Sequence, residues 1–304
     1  MVEEENSLEK EYPLVSIAII TYNQKEYLHE CIESCLAQDY PNFEIVVADD
    51  CSTDGTQDML HEYEANHPGK FVLRLAEKNQ GITPNSNAAH FACTGKYIAW
   101  MGGDDLMLPG KITNQVRFME ANPGCTICYH NLDVFDSDTN KTLRYFNEKL
   151  KLNGDVRTSI RHGTFNGACS NLVRADKTPE KGFDATLPVA SDWLYWVETL
   201  GNGGTINYID VVMGRKRRHA NNITRPEAFI TQNKLDQLVS CQIIIAKFPE
   251  YLFDALYNYS NRLLALRYNL PYLQAVKTAF ILKPSLKTLI RLVIYLFTFS
   301  KVRL

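Results

Sequence analysis

Gly95-Lys-Tyr-Ile-Ala-Trp-Met-Gly-Gly-Asp-Asp105 decides how the rest of the chain reads. A β-forming apolar run from Tyr97 to Met101 ends in Gly102 and Gly103, then in two adjacent carboxylates, Asp104 and Asp105, before Pro109 opens a helical pattern. This predicts a buried strand delivering two acids to the carboxyl edge of a sheet, where open α/β sheets bind ligands. Adjacent carboxylates repel, so the pair makes physical sense with a cation between it and an anionic ligand. The glycines let a ligand approach the backbone. A solvated turn is the alternative, since Gly-Asp-Asp is ordinary loop composition and only context separates the two.

The preceding chain repeats the pattern. After Pro13, Leu14-Val-Ser-Ile-Ala-Ile-Ile20 is too continuously apolar for a half-exposed strand and predicts a central parallel one. It ends in Thr21-Tyr22-Asn23, after which Leu28, Cys31, Ile32, Cys35 and Leu36 fall at helical spacing. Phe43-Glu-Ile-Val-Val-Ala48 is a second buried run, closed by Asp49-Asp50, and Ser52, Thr53 and Asp54 suit the cap of the helix carrying Met59, Leu60 and Tyr63. Phe71-Val-Leu-Arg-Leu75 follows, then Lys78-Asn79-Gln80-Gly81 and a helix around Asn87. Alternating strands and helices require a parallel sheet with right-handed crossovers, so the polar strand ends must meet along one edge. No Gly-x-Gly-x-x-Gly or Walker loop is there to grip a phosphate, which leaves a cation on Asp104 and Asp105 to hold a diphosphate.

With 304 residues, 45% hydrophobic and 22% charged, the chain has material for one large α/β domain with a helical appendage. A net charge of -3 argues against a nucleic-acid partner. The average hides an asymmetry. Asp254 is the last acidic residue, while Arg262, Arg267, Lys277, Lys283, Lys287, Arg291, Lys301 and Arg303 follow it. A basic tail on an acidic body points to an anionic surface. The polar, acidic stretch before Pro13 and 8 scattered cysteines suggest a reducing, cytoplasmic compartment. Cys125-Thr-Ile-Cys128 has no second pair of matching spacing and reads as buried structural thiols.

Val15-Ser-Ile-Ala-Ile-Ile-Thr-Tyr-Asn23, Val46-Val-Ala-Asp-Asp-Cys-Ser-Thr-Asp-Gly-Thr56, Asn79-x-Gly81 with Asn87-Ala-Ala89, and Gly102-Gly-Asp-Asp105 with Pro109 resemble, in order and spacing, the blocks of family 2 glycosyltransferases. The resemblance implies the GT-A (Rossmann-like) fold, a mostly parallel central sheet flanked by helices, with a C-terminal helical extension. It also implies an inverting transfer from a nucleoside-diphosphate sugar, uridine being the expected base, with Mn²⁺ or Mg²⁺ as cofactor. Thr21, Tyr22, Asn23, Asn79 and Gly81 are expected near the nucleoside, with Asn87 beside them. Asp50 matches the acid that accepts a hydrogen bond from the base, with Asp49 next to it; a helix-capping acid is the alternative. Gly103, Asp104 and Asp105 are placed at the donor, with Asp104 as metal ligand and Asp105 as sugar or metal contact. Gly102 stands where the family's metal motif has its first acid.

Downstream, residues 164–174 mix small and polar side chains, as suits a loop and strand near an acceptor. Asp192 heads a helix carrying Leu194, Val197 and Leu200, which by propensity is an N-cap. The resemblance makes it the general base, a role that needs one carboxylate oxygen free. Arg215-Lys-Arg-Arg-His219-Ala-Asn-Asn-Ile-Thr224 reads blandly as a solvated basic loop; the resemblance makes His219 a metal or phosphate ligand and Arg218 a countercharge to the leaving group. Beyond Glu227 the pattern is helical. Leu286, Leu289, Ile290, Val293, Leu296 and Phe297 share a face opposite Lys287, Arg291, Thr298 and Lys301. That suits an interfacial helix on an anionic membrane, or else a helix packed on the catalytic domain or a second subunit.

The expected division is a tail over 1–12, a catalytic domain over 13–225 with a donor half (13–110) and an acceptor half (111–225), and a helical extension over 226–304. The expected enzyme moves one sugar to a saccharide or lipid-linked saccharide at the cytoplasmic face of the membrane, and a homo-oligomer is compatible with the sequence. The rivals are a non-catalytic nucleotide-sugar-binding scaffold and a sugar-phosphate nucleotidyltransferase. The latter carries a Gly-rich basic loop where Thr21-Tyr22-Asn23-Gln24 stands here.

Overall fold

Four parallel strands form the first half of the sheet, and the inner three have apolar runs that leave no polar face to water, while the edge strand keeps Arg74 exposed. A computed structural model describes residues 12–219, 222, 232–265, 280–281 and 284–297. In it β1 (Val15–Thr21), β2 (Phe43–Asp49), β3 (Phe71–Leu75) and β4 (Tyr97–Gly102) run in the order β3-β2-β1-β4, all parallel. The crossovers are α1 (Lys25–Leu36), α2 (Thr56–Asn66) and α3 (Ile82–His90). Register carries the functional consequence. Thr21 pairs with Asp49 and Ile20 with Gly102, so the polar strand ends lie side by side on one rim, as the alternation predicts.

The second half is mixed. β5 (Leu106–Met107) and α4 (Lys111–Ala121) follow the acidic pair, and β6 (Cys125–Asp136) carries the hairpin strand β7 (Thr142–Tyr145). After α5 (Val156–His162), the short β8 (Leu172–Arg174) inserts antiparallel between β4 and β6. Residues 164–174 are a loop and strand as expected, yet Phe165, Asn166, Ser170, Asn171 and Leu172 are buried. These side chains pack inward, while Ala168 of the same segment lines the cavity that holds Asp104 and Asp192.

Past α6 (Asp192–Gly201), the long β9 (Thr205–Arg218) runs parallel to β6 and brings its basic end back to the acidic rim. Apolar clusters fill both sheet faces. One packs α1, α2 and α4, and the other holds Trp100, Trp193, Tyr195 and Trp196 with α7 (Gln232–Lys247) and α8 (Leu252–Ala265). Cys125 and Cys128 are buried in β6 as structural thiols, burial pushing the Cys125 thiol up to about 12.

The C-terminal helices expected from the sequence are present as α7, α8 and α9 (Leu286–Phe297). Leu286, Leu289, Ile290 and Val293 are exposed on α9. No helix among the described residues is long and apolar enough to cross a membrane. Residues 1–11, Thr224, the boundary at 225–226 and the tail residues Arg267, Lys277, Lys283, Thr298, Lys301 and Arg303 lie outside the described residues.

Candidate active site

Two cavities open on the carboxyl rim of β1, β2 and β4, and they share Ile20, Gln24 and Ile82 as a common wall. The first, of about 460 Å³, is lined by Thr21, Tyr22, Asn23, Tyr27, Asp50, Asn79, Gly81 and His219 among others. Asp50 is buried and its two oxygens accept the backbone N–H groups of Gln80 (2.7 Å) and Gly81 (2.8 Å). It ties the cap residue of α3, Gly81, to the end of β2 and folds the Asn79-Gln80-Gly81 turn across it, and each oxygen keeps a second lone pair. Tyr22 stands 45% exposed at the mouth, an apolar ring face open to a planar ligand.

Two residues expected in this cavity are elsewhere. Asp49 is fully buried and accepts from the Ser52 N–H (2.9 Å), the Ser52 hydroxyl and Gln57 Nε2 (2.8 Å), so it fixes the loop after β2 and does not line the cavity. Strand alternation is the cause: Asp49 and Asp50 must point in opposite directions. Asn87 bonds both backbone groups of Phe183, Nδ2 to the carbonyl (2.9 Å) and Oδ1 from the N–H (2.7 Å), and so ties down the loop before α6.

The second cavity, of about 260 Å³, is lined by Gly102, Gly103, Asp104, Asp105, Ser191, Asp192, Trp196, Lys216 and Asn222 among others. Gly103 leaves no room for a side chain, since a Cβ there would stand 2.9 Å from the Thr21 hydroxyl. Asp104 Oδ2 lies 3.1 Å from His219 Nε2 and accepts from Asn222 Nδ2 at 3.0 Å. His219 is held by the Asn222 amide oxygen on its backbone N–H (2.7 Å) and by its ring against Tyr27, centroids 4.7 Å apart. Asp105 accepts the Arg217 backbone N–H at 3.0 Å, and burial, then the neighbouring Asp104, push its carboxyl up to about 6. Among the described residues no three His, Cys, Asp or Glu side chains converge as a ready metal site; Asp104, Asp105 and His219 bring two carboxylates and an imidazole to one rim, the oxygen-rich kind of donor that hard divalent cations take.

Asp192 is the first residue of α6; the preceding Ser191 occupies the cap position. Its Oδ1 accepts the Trp193 N–H (2.8 Å), and Oδ2 has no hydrogen-bond donor among the described residues. Burial raises its pKa, opposed by the Trp193 N–H and by the Lys216 charge. Beside it, the buried Nε1–H of Trp196 has no partner among the described residues. A buried orphan donor costs about 1–3 kcal/mol, and an oxygen reaching it would remove that cost.

The basic strand end divides by parity. Lys216 lines the second cavity, whereas Arg217 points to the opposite face of β9, only 4% exposed. Its Nε donates to the Asp104 carbonyl (2.9 Å), its Nη2 to Glu30 (2.6 Å), and its guanidinium lies 4.7 Å over the Tyr27 ring. Arg218, the expected countercharge, lines neither cavity; it is half-buried and its carbonyl accepts from Ser137. The period-2 rule applied along Arg215-Lys-Arg-Arg218 would have put Lys216 and Arg217 on opposite faces. Trp196 lies one helical turn from Asp192, a spacing that was equally legible. Gln24 and Tyr27 carried no signal; Asn222 lay in the Arg-His-x-x-Asn-Ile-Thr segment, without a role of its own.

The Glycosyl transferase family 2 model matches residues 16–176 of the chain. An uncharacterized protein of Mycobacterium tuberculosis is 30% identical over 213 residues, 69% of this chain and 60% of that protein. The chain thus spans less than two thirds of the length of the mycobacterial relatives it matches. The UDP-Glc:alpha-D-GlcNAc-diphosphoundecaprenol beta-1,3-glucosyltransferase WfaP of Escherichia coli is 30% identical over 218 residues, 69% of this chain and 80% of that enzyme. The crystal structure of Staphylococcus aureus TarS residues 1–349 in complex with UDP-GlcNAc shares the fold at 16% identity, with a TM-score of 0.65 over 95% of this chain and 88% of the other.

Proposed function

The chain belongs to glycosyl transferase family 2, and from that premise we propose that it moves one sugar from a UDP-sugar to a hydroxyl of a saccharide or lipid-linked saccharide, with inversion and with a divalent cation. The observation that carries this reading is the shared wall of the two cavities. Asp50 stands in one, Asp104 and Asp192 in the other, within a single cleft.

The chemistry divides among the residues. Tyr22 offers a ring face to the base, and Asp50 accepts its N–H on a remaining lone pair. Asp104 and His219 would hold the cation, with Asp105 behind them. When bound, it would supply positive charge for the departing nucleoside diphosphate. Asp192 takes the acceptor's proton on Oδ2 as the acceptor oxygen forms its bond to the anomeric carbon and the bond to the diphosphate oxygen breaks. One displacement inverts the anomeric centre. Lys216 stands in the same cavity as a cation for the growing negative charge.

The relative that acts on a diphosphoundecaprenol-linked sugar, together with the exposed apolar residues of α9 beside Lys287 and Arg291, supports a peripheral position on an anionic membrane surface, in surface-polysaccharide assembly. UDP-sugar hydrolysis with Mn²⁺ or Mg²⁺ tests the enzyme. Turnover is expected to vanish in Asp104→Asn and to persist in Asp210→Asn, a carboxylate 71% exposed and paired with Lys151. Tight UDP-sugar binding with no turnover in any metal would instead establish a non-catalytic scaffold.

A further inference from the structure

A third cavity, of about 440 Å³, lies between α5, α7 and α8 and does not share a residue with the cleft. His162, Thr164, Lys234, Gln237, Asn258 and Arg262 line it, and among the described residues no carboxylate does. The acids of its walls are committed elsewhere. Asp254 of α8 is taken by Arg157 (2.7 Å) and Arg161, and Asp236 of α7 accepts the N–H groups of Val189 (2.7 Å) and Ala190 (2.9 Å).

Arg262 is set in place with care. Its Nε donates to Asn258 Oδ1 (2.9 Å), its Nη1 to Gln237 Oε1, and its guanidinium lies 4.3 Å over the Trp193 ring. Gly163, at φ +73°, makes room for it: a Cβ there would meet Nη2 at 2.7 Å. Neutral amide oxygens thus orient the guanidinium, with no carboxylate hydrogen-bonded to it among the described residues, and an oriented, half-buried cation of this kind recognises a phosphoryl oxygen. The place is also telling. Trp193, on which Arg262 stacks, directly follows Asp192, and Asp192 is the carboxylate whose field reaches the guanidinium.

We propose that this cavity is a subsite for a phosphoryl group of the acceptor, gripped by Arg262 and Lys234 on the far side of Trp193 from the hydroxyl that reacts. The proposal rests on Asp192 facing the acceptor. It names the substrate class: a saccharide carrying a phosphate, either as the diphosphate of a lipid-linked sugar or as the diester of a phosphorylated polymer. The volume exceeds what a lone ion needs and lies within the range of ligand pockets.

The test titrates two probes into the full chain with its donor site already filled by UDP and Mn²⁺. Inorganic pyrophosphate stands for the lipid-linked diphosphate and dimethyl phosphate for the diester, with binding followed by calorimetry. Binding of one probe is expected in the presence of UDP, weakened at least tenfold in both Arg262→Gln and Lys234→Gln, with UDP affinity unchanged and partial rescue in Arg262→Lys. The probe that binds identifies the source. Lys234→Gln keeps the measurement available should Arg262→Gln fail to fold. Failure of both probes to bind beside UDP, or binding indifferent to both substitutions, overturns the subsite. Failure of UDP itself to bind, with pyrophosphate binding that still depends on Arg262, overturns the donor reading and leaves the subsite standing.

Discussion

His219 Nε2 lies 3.1 Å from Asp104 Oδ2 although 115 positions separate them along the chain. The strand β9 makes this contact by running parallel to β6 until its basic end reaches the rim of β4. His219→Ala is therefore expected to weaken Mn²⁺ binding at least tenfold, read by electron paramagnetic resonance titration, with little change in UDP affinity measured without metal. Mn²⁺ affinity equal to the parent's would remove His219 from the ligand set.

Gly102 ends β4 with its missing side chain aimed at the acidic pair. A Cβ there would stand 2.9 Å from Asp104 Oδ1 and 3.5 Å from Asp105 Oδ2. Asp104 swings at little cost, since the nearest atom is the end of a side chain. Gly102→Asp then adds a third carboxylate, and tighter Mn²⁺ binding by roughly tenfold is the expected result, because ligand charge tunes such sites. A weaker site would mean that repulsion among three acids outweighs the extra ligand.

Asp192 has its pKa raised by burial, so the folded chain binds its proton more tightly than the unfolded chain does. Between the ordinary carboxylate value and that raised value, the native state holds more protons, and stability falls as pH rises through the window. Activity runs the other way: the base works only ionised, so the acid limb of kcat/KM should lie above the usual carboxylate range. Asp192→Asn is expected to cut kcat about 10²- to 10⁴-fold while leaving the melting temperature unchanged or higher. An acid limb unshifted from an ordinary aspartate would count against the assignment.

Arg217 braces the acidic loop from behind, through the Asp104 carbonyl and Glu30. Arg217→Ala leaves that carbonyl and a buried ring stack without their partner, and the expected loss in urea unfolding is about 2–4 kcal/mol. Mn²⁺ affinity should fall with it, since Asp104 loses its support. Arg217→Lys should restore part of both. A stable variant with weakened Mn²⁺ binding would show positioning without a structural share.

Trp196 offers an indole N–H that the described residues leave unpaired in the wall beside Asp192. Trp196→Phe removes the donor and keeps most of the ring, so stability should hold or rise. One lost hydrogen bond to substrate is worth about 1 kcal/mol, and KM for the acceptor is expected to rise about fivefold with kcat little changed. An unaltered KM would mean the indole faces no substrate oxygen.

Much of the fold was readable in advance because its signals are local. The continuous apolar runs of β1, β2 and β4 can be buried only on both faces, and their alternation with helices requires a shared rim for Thr21, Asp50 and Asp104. The errors were of orientation. Asp49 and Asn87 sit at the expected places in the chain, yet their side chains turn to loops, and of the basic strand end it is Lys216, not Arg218, that lines a cavity. Strand parity held that information for Asp49; between Lys216 and Arg218, two apart and on one strand face, it does not discriminate, and for Asn87 nothing local did.

Sequence alone settled the first four strands, that they run parallel, and that their polar ends share one edge, since periodicity and connection length leave no other arrangement. The antiparallel pairing of β5, β7 and β8 and the reach of β9 to Arg218 were not legible in it. Tertiary structure decided which of those side chains face the cleft, how Arg217 and His219 reach Asp104, and where Arg262 stacks on Trp193. Those outcomes depend on contacts between residues far apart in the chain, and their geometry follows from packing that no local pattern encodes.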